Sequence, residues 1–235
     1  MIGFYDGKDP MQLTVIIPVY NERTTIEELL RRVSAQKLET EVIVVDDFST
    51  DGTRRILESY AEGRVKVLLH DRNKGKGAAI RTGIKHVSTE FVIIQDADLE
   101  YDPRDYDRLL SAMRERNEDV VYGSRLATQK PAMTFRHLIG NRVLTWVTNF
   151  LYGSKLTDME TCYKLFRTRV LNEVELVSNR FNIEPELTAK LLKKGIQIHE
   201  IPISYVGRNF KEGKKISWID FVSALWTLLK FRLTN

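Results

Sequence analysis

The amino-acid sequence predicts an α/β protein built on one open, mostly parallel, twisted sheet with helices on both faces. Short apolar runs rich in β-branched residues recur along the first half of the chain, and helical segments separate them. This alternation is typical of a parallel sheet, whose ligands bind beyond the carboxyl ends of the strands. The predicted strands are Leu13–Val19, Val42–Val45, Val65–Leu69, Phe91–Ile94 and Val120–Tyr122.

Local signals mark where several helices begin and end. Thr24 and Glu27 have the spacing of a capping box, and Asp102 followed by Pro103 is typical of an N-cap and a first-turn proline. The pattern changes after about residue 125. From there the sequence predicts a helix over Phe135–Tyr152, a helix ending near Gly195, a strand over Gln197–Ile203 and an aromatic-rich amphipathic helix over Ile216–Leu233.

Length and composition favour a single domain over residues 1–235, with residues 1–10 as a tail and 216–235 as a C-terminal helix. The chain has 235 residues, 43% hydrophobic content and a net charge of +4, values that are ordinary for a globular enzyme. One cysteine, Cys162, excludes an internal disulfide, and no secretory signal pattern opens the chain. The sequence therefore predicts a cytoplasmic protein, and dispersed basic residues argue against a nucleic-acid partner.

Acidic or polar clusters follow three of the predicted strands directly. Asn21 and Glu22 follow the first strand, Asp46-Asp47 the second, and Asp96-Ala97-Asp98 the fourth. Carboxylates crowded at one edge of a sheet repel each other unless a cation or hydrogen-bond donors compensate. Their occurrence at successive strand ends therefore predicts a ligand site at that edge, although any one pair alone would be a solvated turn.

The third cluster has the chemistry of a divalent-cation site. Asp96 and Asp98 are separated by one small residue, and Glu100 could supply a third oxygen or face solvent instead. Such hard oxygen ligands suit Mg²⁺ or Mn²⁺, which also bind substrate phosphates. The cysteine and the four scattered histidines lack the spacing of a zinc site.

Several cations are candidates for binding phosphate. Lys76 lies in a glycine-containing segment, Asn73–Gly77, ahead of a predicted helix that begins near Ala78, and Arg125 follows the fifth strand. Arg136 and Arg208 come later in the chain. An arginine fork can grip two phosphate oxygens, although each of these cations alone is more often a surface charge.

Taken together, these motifs resemble family 2 glycosyltransferases, and most closely the branch that includes dolichol-phosphate mannose synthase and dolichol-phosphate glucosyltransferase. The resemblance runs from about Leu13 to the C-terminus, with the motifs in the family's order. The motifs are Ile16–Glu22, Val45–Thr53, Asp96–Leu99, Gly123–Arg125 and Glu160–Phe166.

The resemblance implies a GT-A fold, which is Rossmann-like, and an inverting hexosyltransferase. The donor would be a GDP- or UDP-sugar, with mannose or glucose as the hexose, and the acceptor a polyprenyl phosphate. The cofactor would be Mg²⁺ or Mn²⁺. A peripheral position on the cytoplasmic face of a membrane would follow, with Trp218 and Trp226 of the final helix at the interface.

Site residues also follow from the resemblance. Asp46 would contact the base, and Asp98 would be the principal metal ligand, with Asp96 beside it and Glu100 where mannose synthases usually have glutamine. Arg125 and Arg136 match acceptor-phosphate positions, and Arg208 matches a loop arginine that closes over the donor. Asp98, Arg125 and Arg208 would be catalytic, and the nucleotide-sugar would be bound by Pro18, Tyr20, Glu22, Asp46 and Asp96. Asp47, from the second acidic cluster, and Lys76, from the glycine-containing segment, complete the predicted nucleotide-sugar site.

Two other functions stay open on the sequence alone. One is transfer to a carbohydrate hydroxyl, which needs a base carboxylate because a hydroxyl is not ionised near neutral pH; Glu160 and Asp158 are the candidates. The other is a noncatalytic nucleotide-binding or membrane-docking module, which would bind the donor without turnover.

Overall fold

A computed structural model describes residues 13–60, 65–127, 135–207 and 218–234 of the chain, and the strands among them form one seven-stranded sheet. The predicted tail, residues 1–10, lies outside this range. The strands are β1 (Leu13–Val19), β2 (Thr40–Asp46), β3 (Val65–Leu69), β4 (Phe91–Ile94), β5 (Val120–Ser124), β6 (Lys164–Arg167) and β7 (His199–Pro202).

The sheet has the order β3-β2-β1-β4-β6-β5-β7 and is mostly parallel, as the sequence predicts. β1, β2, β3 and β4 run in the same direction, and β5 pairs in parallel with β7. β6 is antiparallel to both of its neighbours, β4 and β5. Because β6 reverses direction between them, β4 and β5 point the same way and their carboxyl ends share one edge.

Eight α-helices connect or flank the described strands. They are α1 (Ile26–Ser34), α2 (Thr53–Tyr60), α3 (Lys76–Ile84), α4 (Tyr106–Arg116), α5 (Phe135–Tyr152), α6 (Thr168–Asn172), α7 (Ile183–Lys193) and α8 (Trp218–Leu233). The predicted Asp102 cap is confirmed, since its side chain accepts the Arg104 N–H at the start of a 3₁₀ turn, Pro103–Asp105, that leads into α4. Gly195, with a φ of 75°, follows the end of α7 as the sequence predicts.

The capping-box prediction for α1 is wrong. Thr25 is the N-cap residue, and its side chain makes no capping hydrogen bond to the helix. Its hydroxyl instead donates to the Glu22 carboxylate at 3.0 Å. The turn between β1 and α1 is thus organised by a residue of the predicted site, which competes with the local cap.

Helices cover both faces of the sheet. Alternate residues of β2 pack on opposite sides, because Val42 and Val44 belong to the main core while Ile43 and Val45 pack with Ala79 of α3. A second apolar cluster joins α5, α7 and α8. It contains Leu144, Leu156, Met159, Ala189, Ala224, Leu228 and Phe231. Within the described residues, no helix is long and apolar enough to cross a bilayer.

Candidate active site

The predicted polar clusters meet at one edge of the sheet. β2, β1 and β4 are adjacent and parallel, so the residues that follow them lie side by side. Backbone hydrogen bonds extend this ladder beyond the strands: the Asp47 N–H donates to the Val19 carbonyl at 2.8 Å, and the Gln95 N–H donates to Ile16 at 2.9 Å. The sequence prediction of a shared ligand edge therefore describes the geometry correctly.

The loops after β1 and β2 are tied together by side chains. The Ser49 hydroxyl accepts the Asn21 N–H at 2.9 Å, and the Asn21 side chain accepts the Thr50 N–H at 2.8 Å. Asn21 has a φ of 54°, a conformation that asparagine tolerates better than most residues. Pro18 is half-buried in β1 and Tyr20 is exposed just beyond it. Both loops thus present a fixed rim to any bound nucleotide.

Asp46 is fully buried at the end of β2 and already has protein partners. Its carboxylate accepts the Arg54 Nε–H at 2.7 Å and the Ser49 N–H at 3.2 Å. The same guanidinium lies 5.5 Å from the ring centroid of Phe48, whose side chain is exposed. Asp46 thus holds the Arg54 guanidinium against the exposed ring of Phe48. The sequence motifs do not predict this contact.

Asp47 organises the glycine-containing segment that precedes α3. Its two carboxylate oxygens accept the backbone N–H groups of Lys74 and Gly75, each at 2.7 Å, and one of them also contacts His70 Nδ1 at 2.7 Å. Gly75 has a φ of 96°, which a residue with a side chain rarely adopts. The role of Asp47 in this structure is therefore to fix the segment that carries Lys76.

Lys76 is the centre of a buried ion-pair network. Its ammonium lies 2.8 Å from Asp96 Oδ1 and 3.0 Å from Glu184 Oε1, and Glu184 also pairs with the buried Lys164. Burial alone would lower the pKa of Lys76, but the charges of Asp96 and Glu184 outweigh it and raise that pKa well above its ordinary value. Burial would likewise raise the pKa of Asp96, but Lys76 lowers it. Both side chains therefore stay charged near neutral pH.

The three predicted metal ligands do not converge into one cluster. Asp96 is paired with Lys76, and the Glu100 carboxylate accepts the Tyr205 hydroxyl at 2.6 Å. Asp98 is half-buried at the rim, where its Oδ1 accepts the Glu100 N–H at 3.2 Å. In the part of the chain that the structure describes, no three His, Cys, Asp or Glu side chains are grouped to hold a metal ion.

This donor set fits Mg²⁺ or Mn²⁺ held by one or two protein carboxylates, with phosphates and water completing the coordination. Asp98 stays the predicted principal ligand because it is half-buried at the rim, directly after the strand end that carries Asp96. Glu100 stays a predicted third ligand, and in this structure its Oε2 accepts the Tyr205 hydroxyl.

Arg125 is clamped at the end of β5 by a buried carboxylate. Asp158 accepts the Arg125 backbone N–H at 2.8 Å and two of its guanidinium N–H groups at 2.7 Å each, while Asn141 of α5 donates to Asp158 at 2.6 Å. Burial would raise the pKa of Asp158, but the charge and hydrogen bonds of Arg125 lower it. The guanidinium also lies 5.9 and 5.2 Å from the ring centroids of Tyr101 and Tyr205.

The two halves of the rim are electrostatically connected. The charge of Arg125 contributes to the lowered pKa of Asp96. Burial raises the pKa of Tyr205, with Arg125 acting against this rise and Glu100 and Asp98 adding to it. Contacts connect the two halves as well, because the Arg125 guanidinium lies 5.2 Å from the ring of Tyr205, whose hydroxyl donates to Glu100.

The side chains of two predicted site residues, Arg136 and Arg208, lie outside the described part of the structure. Arg136 is in the first turn of α5, but its side chain lies outside the described residues, as does the whole of Arg208. Arg54, Asn141 and Glu184 are parts of the site that the sequence motifs do not predict. A signal for Glu184 existed, since it lies on the same helical face as the apolar Leu187 and Leu191.

Comparison with known proteins identifies the family. Residues 14–175 match the model of glycosyl transferase family 2. The chain is 30% identical to glycosyltransferase AglJ of Haloferax volcanii over 85% of this chain and 64% of the relative. It is also 30% identical to undecaprenyl-phosphate 4-deoxy-4-formamido-L-arabinose transferase of Edwardsiella ictaluri, over 89% of this chain and 64% of the relative. The chain thus spans slightly less than two thirds of the length of each relative.

The fold is similar to that of a solved enzyme. Glucosyl-3-phosphoglycerate synthase of Mycobacterium tuberculosis, in complex with Mn²⁺, uridine diphosphate and glucosyl-3-phosphoglycerate, superposes with a TM-score of 0.73 at 18% identity. The match covers 96% of this chain and 81% of that enzyme. This likeness confirms the predicted GT-A fold, and the family match confirms the resemblance seen in the sequence motifs. The chain belongs to glycosyl transferase family 2.

Proposed function

We propose that the chain is a metal-dependent, inverting glycosyltransferase that moves a hexose from a GDP- or UDP-sugar to a polyprenyl phosphate. One observation carries the proposal. Two sets of charged groups suited to a metal-bound diphosphate and a phosphate lie at neighbouring strand ends: Asp98 with the Lys76–Asp96 pair, and the clamped Arg125, which contacts the ring of the Tyr205 that donates to Glu100. A reaction with a diphosphate leaving group and a phosphate nucleophile needs two such groups.

Relatives support this choice of substrates. The Edwardsiella ictaluri relative is named for transfer to undecaprenyl phosphate, and the Mycobacterium tuberculosis neighbour was solved with Mn²⁺ and a nucleoside diphosphate. Both facts concern those proteins. They favour a lipid phosphate acceptor and a divalent cation here because the corresponding charged groups are present at the strand ends.

On the donor side, the chain's own residues bind and orient the nucleotide-sugar. Asp98, with Asp96 beside it, would hold the cation, which when bound neutralises charge on the diphosphate. Lys76, buried between Asp96 and Glu184, would act on the donor by keeping Asp96 charged and in place. Pro18, Tyr20, Glu22 and Asp46 would line the nucleotide site.

On the acceptor side, Arg125 would position the phosphate without a general base. A phosphate monoester has a second pKa of about 6 and is largely ionised at neutral pH. Asp158 is poorly suited as a base, because its carboxylate is engaged by Arg125 and Asn141 and its pKa is lowered. Arg136 and Arg208 remain assigned to acceptor and donor phosphates through the family resemblance alone.

Membrane docking would bring this site to its lipid. α5 and α8 expose one line of apolar side chains each, and α5 also carries Asn141 on its buried side. The exposed apolar residues are Ile139, Val143, Trp146 and Phe150 on α5, and Trp218, Ile219, Val222, Trp226, Leu229 and Leu233 on α8. Arg142, Lys155, Lys230 and Arg232 are exposed nearby and suit anionic headgroups. We define these two lines as the α5–α8 face.

The test is a screen of nucleotide-sugars with Mn²⁺ and a short polyprenyl phosphate, with the product identified by mass. We expect a polyprenyl-phosphate hexose and no product without the divalent cation. Transfer to an oligosaccharide but not to the lipid would support the hydroxyl-acceptor function instead. Binding of the donor without any metal-dependent product would support a noncatalytic module.

A further inference from the structure

Glu160 differs from the other acids of the buried cluster in having no partner of its own. Asp96 pairs with Lys76, Glu184 with Lys76 and Lys164, and Asp158 with Arg125. These three cations and three carboxylates balance one another. Glu160 is a fourth acid, and its buried Oε1 has no hydrogen-bond partner among the described residues.

The segment that carries Glu160 is held firmly in place. The Asp158 N–H donates to Glu200 at 2.9 Å, and the Met159 N–H donates to the Thr145 hydroxyl at 3.1 Å. On the other side, the Thr161 hydroxyl donates to the Gly123 carbonyl at 2.6 Å. The backbone on both sides of Glu160 is therefore hydrogen-bonded in place, and it holds a buried acceptor oxygen without a donor, an arrangement that is unfavourable unless a ligand supplies the donor.

Glu160 lies in the chain between residues of the two charged networks, after Asp158 of the Arg125 clamp and before Lys164, which pairs with Glu184. Burial raises the pKa of Glu160 to about 7; Lys164 and Arg125 act to lower it, while Glu184 and Asp158 act to raise it. Lys164 on β6 and Glu184 on α7 connect to the donor-side network around Lys76. Arg125 and Asp158 form the acceptor-side clamp. Glu160 thus interacts with charges on both sides.

We propose that Glu160 binds a hydroxyl group of the hexose being transferred and contributes to sugar specificity. The inference rests on the proposed function, because the anomeric carbon must lie between the leaving diphosphate and the attacking phosphate. A group that interacts with the charges of both sites is therefore suited to contact the sugar. A carboxylate repels phosphate but accepts a hydrogen bond from a hydroxyl, and such a charge-assisted bond is about twice as strong as a neutral one.

Binding measurements on the full chain test this contact without requiring turnover. Calorimetry with Mn²⁺ would compare GDP-mannose and UDP-glucose with GDP and UDP, for the wild type, Glu160→Gln and Glu160→Ala. We expect Glu160→Ala to weaken the bound nucleotide-sugar about tenfold and Glu160→Gln less, since the amide retains a carbonyl acceptor. Affinity for the nucleoside diphosphate should stay within about twofold, because it lacks the sugar that Glu160 contacts.

A pH series separates this role from a purely structural one. Because the ionised carboxylate is the better acceptor, wild-type affinity for the nucleotide-sugar should rise between pH 6 and 8 relative to that of Glu160→Gln. Glu115→Gln, an exposed change on α4, should follow the wild type. Thermal unfolding of each variant would verify folding, and Glu160→Asp would replace any variant that does not fold.

Two outcomes would overturn the proposal. Equal weakening of nucleotide-sugar and nucleoside diphosphate would show a general disturbance of the site, and unchanged nucleotide-sugar affinity would exclude the contact. Loss of transfer to a hydroxyl acceptor with unchanged donor affinity would make Glu160 a base instead. If neither nucleotide-sugar binds the wild type, the proposed function itself fails, and this inference falls with it.

Discussion

Asp158 holds Arg125 through its backbone N–H and through two guanidinium N–H groups, so one buried carboxylate fixes both the position and the direction of this arginine. Asp158 is fully buried and Arg125 nearly so. The pair follows the end of β5 and contacts α5 through Asn141. A change at Asp158 should therefore affect both the stability of the fold and the orientation of Arg125.

We expect Asp158→Asn to lower the free energy of unfolding by about 3 kcal/mol, because it leaves a buried guanidinium with less compensating charge. Urea unfolding would measure this. The matched control is Asp119→Asn, which removes a more exposed ion pair with Arg169 and should change stability by less than about 1 kcal/mol. An equal loss of unfolding free energy in the two variants would contradict the conclusion that Asp158 stabilises the fold by holding Arg125.

Asp98→Ala should abolish metal-dependent transfer while leaving the fold intact. Asp98 is half-buried in the loop after β4 and is not part of the apolar core, so we expect the fold to tolerate its removal. Product formation as a function of Mn²⁺ concentration would test the effect, with Asp107→Ala on the exposed side of α4 as the control. Unchanged turnover in a folded variant would rule out Asp98 as the principal ligand.

Gly77→Ala should disturb the position of Lys76. A Cβ atom at Gly77 would lie 2.4 Å from the Ser178 carbonyl oxygen, so the first turn of α3 or the facing backbone must shift. We expect a loss of about 1–3 kcal/mol in stability and weaker binding of nucleoside diphosphates. Denaturation and calorimetry on the same samples would measure the two effects.

Gly140→Ala is the matched control for that change. It lies inside α5, and the nearest atom to its Cβ would be a Phe221 ring carbon at 3.7 Å, an ordinary contact. Alanine is favoured over glycine within a helix by about 0.5–1 kcal/mol, so this variant should be at least as stable as the wild type. Destabilisation by both glycine changes would argue that steric contact at Gly77 is not the cause.

The sequence predicts the parallel part of the sheet well because buried parallel strands need continuous β-branched runs, and these are visible in the chain. β6 is different. It is four residues long, begins with Lys164 and ends with Arg167, so no apolar run or alternation marks it. Its place depends on pairing with β4 and β5, which are distant in the sequence, and no local pattern contains that information.

The location of the candidate site can be predicted from the sequence for the same reason as the parallel strands, because it lies where those strands end. Strand ends bring Asp46, Asp96 and Arg125 to one edge, so the location follows from the pattern. The partners of the charged site residues do not follow from this pattern. Glu184 of α7 contacts Lys76, and Asp158 contacts Arg125, through tertiary contacts. Glu100 is another example, since its spacing from Asp98 predicts a metal ligand but contains no information about Tyr205, whose hydroxyl donates to the Glu100 carboxylate.

The α5–α8 face should bind anionic vesicles. Trp146 is 65% exposed and stacks on Phe150, and Trp226 is 66% exposed, so replacing both tryptophans with serine should weaken vesicle co-sedimentation several-fold without unfolding the protein. Val177→Ser, an exposed apolar change away from this face, is the control. Equal sedimentation of the double variant and the wild type would exclude docking through these tryptophans.

Glu160 should make the protein less stable as the pH rises from about 4.5 to about 7. Its pKa is about 7 in the folded protein, against an ordinary value of 4.5, so between these values the folded state binds more protons than the unfolded state. Stability attributable to Glu160 is therefore present below pH 4.5, decreases through this interval and is constant above it. Asp96 and Asp158 give the opposite trend at lower pH, because their pKa values are lowered and the stability they contribute is lost on acidification.

The Glu160→Gln variant removes this titration. We therefore expect its free energy of unfolding to equal that of the wild type near pH 4.5 and to exceed it by on the order of 1–3 kcal/mol at pH 8. Urea unfolding of both proteins across this range, with Glu115→Gln as the exposed control, would measure the difference; a constant difference between wild type and Glu160→Gln at all pH values would show that Glu160 does not titrate in this interval.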